Sequence, residues 1–178
     1  MPSGIHSFAH KYFAHKLRAF TLLTRAVPSY EHLHLDNQLC FALYAATNAL
    51  TRAYRGPLGR LGLTYPQYLV MVVLWERGAH TVKSLADALQ LDSSTLTPLL
   101  KRLQAAGWVS RERDALDERV VRVSLTAEGR ALRRPVAAIQ KGVACRTRLP
   151  EAEFIDLRSR LHDLVETMAD TEDVSTLT

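Results

Sequence analysis

The chain has 178 residues, a formal net charge of +5 and a hydrophobic content of 47%. This length suits one domain with appendages and is sufficient to bury a hydrophobic core. The modest positive charge permits a nucleic-acid partner without requiring one. No apolar run approaches the roughly 20 residues that a membrane span needs.

The cysteine content narrows the class of protein further. Cys40 and Cys145 lie far apart and form no C-x-x-C motif. This pattern excludes a zinc finger and a disulfide-rich secreted scaffold, and it favours a reducing cytoplasm. The sequence predicts neither a metal ion nor a cofactor, because the histidines show no ligand spacing with cysteines or acids.

Residues 1–34 differ in composition from the rest of the chain. They hold five of the seven histidines, and Glu31 is their single acid. We predict a basic, histidine-rich N-terminal arm here, with no role that the sequence defines.

Two helices are predicted next. Asp36 is a good N-cap for a helix that runs to about Arg55, before Gly56 and Pro57 stop it. Another helix starts at Pro66, a favoured residue in a first helical turn. Its segment 68–75 is almost entirely apolar, so we expect this helix to be central and buried.

The stretch 81–126 has the pattern of a helix-turn-helix. A first short helix places four apolar residues at helical spacing, and Asp92 caps a second helix with a leucine stripe. The opposite side and the flanks of the second helix offer hydroxyls and cations. These residues are Ser93, Ser94, Thr95, Thr97, Pro98, Lys101 and Arg102. Such a face is typical of a recognition helix in the major groove.

A hairpin follows Gly107, which ends the second helix. Segments 108–113 and 119–125 read as two strands joined by a short polar loop, and a hairpin in this position is a wing. Its arginines suit phosphates or a minor groove. The wing residues that we expect at DNA are Arg111, Arg113, Asp117 and Arg119. Acids in the loop nearly balance this charge, so the pattern alone leaves a protein-binding winged helix open.

The C-terminal part is predicted to be helical. Thr126 caps a helix that contains Pro135, a residue that can kink it, and that passes Cys145. A last helix begins near Glu151 and carries an approximate heptad stripe, which a chain of this size buries against another helix or a second subunit. The predicted fold is therefore mainly α with a small β-hairpin wing, a winged helix-turn-helix flanked by N- and C-terminal dimerisation helices.

Four stretches of the sequence resemble one known family. Asp117-Glu118-Arg119 followed by Leu125-Thr126 is similar to the D-x-R…L-T signature of MarR-type winged-helix repressors. The strings LDNQLCFALY (35–44), LTYPQYLVM (63–71) and LDSSTLTPLLKRL (91–103) resemble the organic-hydroperoxide-sensing (OhrR) branch. The resemblance implies a MarR-type domain over 35–178, with dimerisation helices at 35–57 and 127–170 and the winged helix-turn-helix at 65–126.

The resemblance also implies a function. It implies a homodimer, not an enzyme, that represses from a pseudo-palindromic DNA operator and is induced by organic hydroperoxide. Cys40 matches the peroxide-reactive cysteine, Tyr54 and Tyr65 match the tyrosines that hydrogen-bond to it, and Cys145 matches the second cysteine of the two-cysteine type. In that type the two cysteines form an intersubunit disulfide after oxidation.

The residues themselves give partial support to Cys40. A lone cysteine beside an apolar stripe is more often inert core than reactive thiol. However, the start of a helix favours an anion, and Tyr44 lies one turn further along. Two alternatives remain open at this point: a MarR-type repressor released by a small aromatic ligand, and a thiol peroxidase, although no activating base or arginine is close to Cys40 in sequence.

Overall fold

The computed structural model of the chain describes residues 30–114, 117 and 119–169. The chain divides into two compact units, residues 1–44 and 45–178. Most of the predicted arm, residues 1–29, lies outside the described residues. Its last part contains a short 3-10 helix, Tyr30–Leu33.

The first long helix, α1, spans Leu39–Gly59. It begins later than the sequence predicts, because Asp36 belongs to a separate 3-10 helix, Leu35–Asn37, and Gln38 has an extended backbone. The carbonyl of Gln38 accepts the hydrogen bond from the Ala42 amide (3.1 Å). The prediction that Asp36 caps this helix is therefore wrong, and the helix starts immediately before Cys40.

The end of α1 also differs from the prediction. The helix continues through Pro57, which cannot donate a backbone hydrogen bond to the carbonyl four residues earlier. Leu58 is completely buried, and the Arg60 amide still bonds to the Gly56 carbonyl (3.2 Å). Burial of Leu58 thus outweighs the local preference of Gly56-Pro57 to end the helix.

The second unit holds the winged helix-turn-helix. Its helices are α2 (Tyr65–Arg77), α3 (Val82–Leu89) and α4 (Ser93–Ala105). Thr64 and Gln67 form a capping box at the start of α2. As predicted, α2 is central: five apolar residues of its 68–74 segment are buried, namely Tyr68, Val70, Met71, Val73 and Leu74.

The two helices of the helix-turn-helix begin and end where local chemistry requires. The Thr81 hydroxyl caps α3 by accepting from the Ser84 amide (3.0 Å). Gln90 turns the chain in the left-handed conformation (φ 53°). Asp92 occupies the N-cap position of α4, as predicted, although its carboxylate makes no capping hydrogen bond. Leu96, Leu100 and Leu103 then bury one side of α4.

The wing is part of a three-stranded antiparallel sheet. Its strands are β1 (His80–Thr81), β2 (Val109–Arg113) and β3 (Val121–Leu125), in the order β1-β3-β2. The two longer strands confirm the predicted hairpin, but Arg119 lies in the loop and not in β3. The sequence did not indicate β1, because two residues are too few to show a strand period.

After the wing, the described residues form three more helices: α5 (Ala127–Ala131), α6 (Arg133–Arg146) and α7 (Glu151–Ala169). Near Pro135, where the sequence predicts a kink, the structure has a one-residue interruption at Leu132, whose backbone stays in the right-handed helical region (φ −64°, ψ −19°). Pro135 has no amide hydrogen to bond to the Ala131 carbonyl, so the last turn of α5 cannot continue regularly into α6.

The helix α7 has no buried residue. Its large apolar side chains form an exposed stripe, made of Ile155, Leu157, Leu161, Val165 and Met168. Leu157, Leu161 and Met168 belong to the heptad stripe predicted from the sequence, and the described part of the chain leaves them exposed.

A tight junction joins the end of α4, the wing and α5. The Thr126 hydroxyl caps α5 by accepting from the Gly129 amide (3.0 Å) and donates to the Gly107 carbonyl (2.7 Å). From α2, the Trp75 indole donates to the Gly129 carbonyl (2.9 Å). A methyl group on Gly129 would clash with the Trp108 carbonyl, 2.9 Å from its carbon. Only glycine therefore allows α5 to pack this closely.

We expect Gly129→Ala to lower the free energy of unfolding by about 1–3 kcal/mol, because neither backbone can yield easily. Gly142→Ala is the matched control: a Cβ there meets nothing within 4 Å in the chain. Since alanine favours a helix by up to about 1 kcal/mol over glycine, this control should be neutral or stabilising. Urea unfolding followed by circular dichroism measures both, and equal stability of the two variants would contradict the tight junction.

Candidate nucleic-acid interface and thiol sites

One side of α4 is exposed and polar. The predicted contact residues Ser93, Ser94, Thr95, Pro98, Lys101 and Arg102 are exposed, and Thr97 is half-buried. Because leucines anchor the opposite side of α4 in the core, this face projects from the winged helix as a single surface. The structure therefore brings together the hydroxyls and cations that the sequence assigned to a recognition helix.

Pro98 lies on this exposed face, within the first two turns of α4. Without an amide hydrogen it cannot bond to the Ser94 carbonyl, so it weakens the helix ladder at that point. The Thr97 hydroxyl, one residue earlier, donates to the Ser93 carbonyl (2.7 Å). Thr97 consequently keeps an acceptor oxygen, but not its donor, for another partner.

The predicted wing residues have unequal exposure. Arg113, Asp117 and Arg119 are exposed. Arg111 is half-buried, pairs with Val123 across the sheet and has a buried Nε without a hydrogen-bond partner. Its side chain thus lies on the core side of the sheet, where it is less available to DNA than the sequence suggests.

Acidic residues organise the wing loop. The Asp117 carboxylate accepts a hydrogen bond from the Arg119 amide (2.9 Å). The Asp114 carboxylate pairs with the guanidinium of Arg122 (Nη2 3.0 Å, Nε 3.3 Å). In the sequence, these acids are seen only to offset the positive charge of the wing arginines. In the structure, each of the two has a defined hydrogen-bond partner.

Cys40 is exposed and is the second residue of α1. Its thiol contacts the Gln38 side-chain oxygen (Sγ to Oε1 3.8 Å). The side-chain amide nitrogen of Gln38 in turn donates a hydrogen bond to the His32 carbonyl. Tyr44, also exposed, packs its ring near that of Phe41 (6.5 Å between centroids). Cys40 is therefore accessible to a reagent and lies at the positive end of a helix dipole.

Tyr54 and Tyr65 form a cluster with Tyr68, all in the second unit. The three ring centroids are 5.3–5.7 Å apart. Tyr68 is not among the predicted site residues, although its spacing of three residues from Tyr65 on a helix is the signal that could have revealed it. The two predicted tyrosines are thus neighbours, and a third phenol lies beside them.

Burial makes Tyr54 and Tyr65 harder to ionise. Desolvation raises the pKa of Tyr54 well above its usual value of 10, and the neighbouring Tyr68 adds to this effect, partly through a hydrogen bond. Desolvation likewise raises the pKa of Tyr65, with a further contribution from Tyr68. Tyr54 and Tyr65 are therefore neutral hydroxyls even in mildly alkaline solution, and such hydroxyls can donate hydrogen bonds to an anion.

A cavity of about 270 Å³ adjoins this cluster. Tyr54 and Tyr65 line one side of it, and the α6 and α7 helices line the other with apolar groups such as Val143 and Leu161. The two phenols consequently border a space that is mostly apolar.

Cys145 lies in the last turn of α6 and is exposed. Arg146 and Arg148, close by in sequence, are exposed as well. Arg148 has a left-handed backbone (φ 56°), and its amide bonds to the Cys145 carbonyl (3.3 Å). The second thiol is thus accessible at a helix end, as its proposed reaction with another cysteine requires.

No helix within residues 30–114 or 119–169 is long and apolar enough to span a membrane. Among the same described residues, no group of histidine, cysteine and acidic side chains is arranged to hold a metal ion.

The raised pKa of Tyr54 predicts the alkaline stability of the protein. Below about pH 10 the phenol is protonated in both folded and unfolded chains. Above it, Tyr54 ionises only in the unfolded chain, so the free energy of unfolding falls as pH rises. Tyr54→Phe should lose less stability than wild type between about pH 9 and 11 in urea unfolding. Tyr44→Phe, which removes an exposed hydroxyl, is the control, and equal losses in Tyr54→Phe and wild type would contradict the burial of this phenol.

Comparison with known proteins places the fold and the site in context. The sequence profile described as transcriptional regulator SarA/Rot matches residues 57–134. The organic hydroperoxide resistance transcriptional regulator of Bacillus subtilis is 40% identical over 139 residues, which cover 78% of this chain and 95% of that protein. The HTH-type transcriptional regulator TtmR of Methylorubrum extorquens is 48% identical over 136 residues, covering 76% and 68%, respectively.

Solved structures of AbfR, known from Staphylococcus epidermidis, are also similar. Reduced AbfR bound to DNA is 35% identical with a TM-score of 0.65 and covers 79% of this chain and 98% of its own. Overoxidized AbfR bound to DNA has a TM-score of 0.63 at 35% identity, with 78% and 98% covered. Disulfide-formed AbfR has a TM-score of 0.55 at 35% identity, with 79% and 94% covered. These relatives are transcriptional regulators, and the chain belongs with them to the MarR family of winged-helix, DNA-binding transcriptional regulators, in the group that includes the organic hydroperoxide resistance regulators.

Proposed function

We propose that the chain is a cytoplasmic repressor that binds a pseudo-palindromic operator as a homodimer and releases it when an organic hydroperoxide oxidises Cys40. The observation that carries this proposal is the position of Cys40, exposed at the second residue of α1. A buried core cysteine would be inaccessible to a peroxide, whereas an exposed thiol is accessible.

The proposed switch is a two-step oxidation. The thiolate of Cys40 attacks one peroxide oxygen, an S–O bond forms, the O–O bond breaks, and the alkoxide leaves as an alcohol after taking a proton. The resulting sulfenic acid condenses with the thiol of Cys145 in the second subunit, forming an S–S bond and releasing water. The peroxide is reduced, and the two cysteines together lose two electrons.

We assign the tyrosines to the first step. Tyr54 and Tyr65 are hydroxyl donors, and burial raises their pKa values further above neutrality. A donor that meets the Cys40 sulfur stabilises the thiolate and the developing negative charge. Tyr44 lies one helical turn after Cys40 and is exposed, and we assign its hydroxyl to this step as a third donor.

We assign Cys145 to the second step. It is exposed, and Arg146 and Arg148 lie nearby in sequence. An exposed thiol can reach the sulfenic acid of a second subunit and condense with it. AbfR offers a precedent, since one of its structures is a disulfide form.

The exposed apolar stripe of α7 supports a homodimer. An uninterrupted row of large apolar side chains in water is unfavourable, and an isologous contact with a second copy would cover it on both subunits. A two-fold dimer would place its recognition helices about 34 Å apart, one turn of DNA. A disulfide between subunits would then move the two recognition helices relative to each other.

At the DNA, we place α4 in the major groove, with its exposed hydroxyls, Lys101 and Arg102 facing bases and phosphates. The exposed Arg119 of the wing loop reaches the minor groove or the phosphates beside it, and Arg113 and Asp117 lie at the edge of this contact. Arg111 contributes least, because its Nε is buried.

A second candidate is a repressor released by a small aromatic ligand. Its specific support is a cavity of about 410 Å³ lined by Trp75, Glu76 and Arg133 among others, which offers an indole face and a cation. In that case Cys40 is inert and DNA release needs no covalent change. The thiol peroxidase alternative finds no support among the relatives, which are transcriptional regulators.

Two variants test the DNA interface. Arg119→Ala should weaken operator binding by about 1–3 kcal/mol if Arg119 reads the groove. Lys101→Ala should mainly lower the salt dependence, reducing the slope of log K against log [salt] by about 0.9. Fluorescence anisotropy at several salt concentrations measures both quantities, with the exposed Lys141→Ala of α6 as control. Wild-type binding by both variants at every salt concentration would place the interface elsewhere.

Cysteine variants test the switch. Cys40→Ser should bind the operator normally and remain bound after organic hydroperoxide, because serine keeps the volume but cannot form a sulfenic acid. Cys145→Ser should still be oxidised at Cys40 but form no covalent dimer on a non-reducing gel, and its release should be slower or resistant to reductant. Mass spectrometry of both cysteines accompanies the binding assay. If peroxide still releases the Cys40→Ser variant from the operator, the proposed switch is wrong.

The tyrosine assignment is checked within the same experiment. Tyr54→Phe and Tyr65→Phe should slow the oxidation of Cys40, since each removes one hydroxyl donor. Tyr30→Phe, an exposed tyrosine outside α1, is the control. If oxidation rates are unchanged while Cys40→Ser still abolishes release, the switch stands and only the tyrosine assignment fails.

A further inference from the structure

Arg122 lies in β3 and forms an ion pair with Asp114, an acid of the same hairpin. Its Nη2 and Nε both donate to the same carboxylate oxygen of Asp114, at 3.0 and 3.3 Å. Glu112 is its paired residue on the neighbouring strand β2. The guanidinium of Arg122 therefore lies among acids of its own hairpin, on the side of β3 opposite the buried Val123.

The ion pair lies at the base of the wing loop. Asp114 is the first residue after β2, and its amide bonds to the Val120 carbonyl (2.8 Å) just before β3. Its side chain is only 19% exposed, compared with 53% for Arg122. Backbone and side chain of Asp114 thus both connect the two ends of the loop.

The same loop presents Arg119. The Val120 amide bonds to the Asp117 carbonyl (2.9 Å), and the Asp117 carboxylate holds the Arg119 amide. The direction in which Arg119 leaves the hairpin consequently depends on a turn whose base is closed by Asp114 and Arg122.

We propose that Arg122 is a positioning residue for the wing, acting through Asp114, and not a phosphate contact. The Asp114–Arg122 pair fixes the base of the loop so that Arg119 is presented to DNA in one orientation. This inference rests on the proposed placement of Arg119 at the DNA. It also explains an acid in a wing that binds a polyanion: the carboxylate of Asp114 faces an arginine, and its charge is compensated before DNA arrives.

The two possible roles of Arg122 predict different salt dependence. A cation that contacts a phosphate releases a counterion, so its loss lowers the slope of log K against log [salt] by about 0.9. A cation that positions a neighbour leaves that slope unchanged and lowers affinity at every salt concentration. Because exposed ion pairs are weak, the expected loss of affinity is about two- to fivefold.

The experiment is a charge-reversal cycle on the full chain, with operator binding measured by anisotropy over a range of salt. Arg122→Ala and Asp114→Ala should each weaken binding about two- to fivefold with an unchanged slope, and the double alanine variant should be no weaker than either single one. Reversing both charges, Asp114→Arg with Arg122→Asp, should restore much of the lost affinity. Thermal unfolding should change little in all variants, which separates positioning of the loop from loss of fold.

Lys101→Ala is the reference for a phosphate contact, with a lowered slope. The inference is overturned if Arg122→Ala lowers the slope as Lys101→Ala does while Asp114→Ala binds as well as or better than wild type. It is also overturned if the charge-reversed variant binds worst of all. If Arg119→Ala itself binds like wild type, the wing is not at the DNA, and the proposed interface fails together with this inference.

Discussion

The close approach of Gly129 to the Trp108 carbonyl is the constraint on which the arrangement of the second unit depends. At this point α4 has just ended, β2 begins and α5 starts, and hydrogen bonds from Thr126 and Trp75 hold the same few residues. A larger residue at 129 would push α5 away from the recognition helix. The recognition helix, the wing and the C-terminal helices therefore meet at backbone contacts that leave no room for a side chain at position 129.

This junction also connects the proposed switch to the DNA-binding surface. Cys145 lies at the far end of α6, and α5 joins α6 at the interruption near Pro135. In the proposed disulfide form, the bond at Cys145 constrains the end of α6, and α5 connects α6 to Gly129 and the end of α4. The cap of α5 and its hydrogen bond from Trp75 attach it to the winged helix, so these contacts are the physical link between the proposed oxidation site and the exposed face of α4.

The charges of the site act locally. The core side of the sheet holds Arg111, the pair of Asp114 and Arg122 closes the loop, and Arg119 remains exposed beyond it. These three arginines of the wing thus lie in different environments, although they are close to one another in sequence. The net charge of +5 is therefore a poor guide to the interface, since pairing and burial decide which cation can contact a phosphate.

The sequence by itself determined the fold class, the helix-turn-helix, the hairpin and the exposed polar face of α4, because apolar spacing and residues such as Asp92 and Gly107 act over a few residues. It also identified Cys40 through a resemblance. Only the tertiary structure decided that α1 passes through Pro57 to bury Leu58, that Tyr68 joins the tyrosine cluster, and that Arg122 is paired. The burial of Leu58 and the contact of Tyr68 with Tyr54 depend on residues distant in sequence. The pairing of Arg122 with Asp114 is local, but the sequence offers several acids and arginines in the wing and does not show which of them pair.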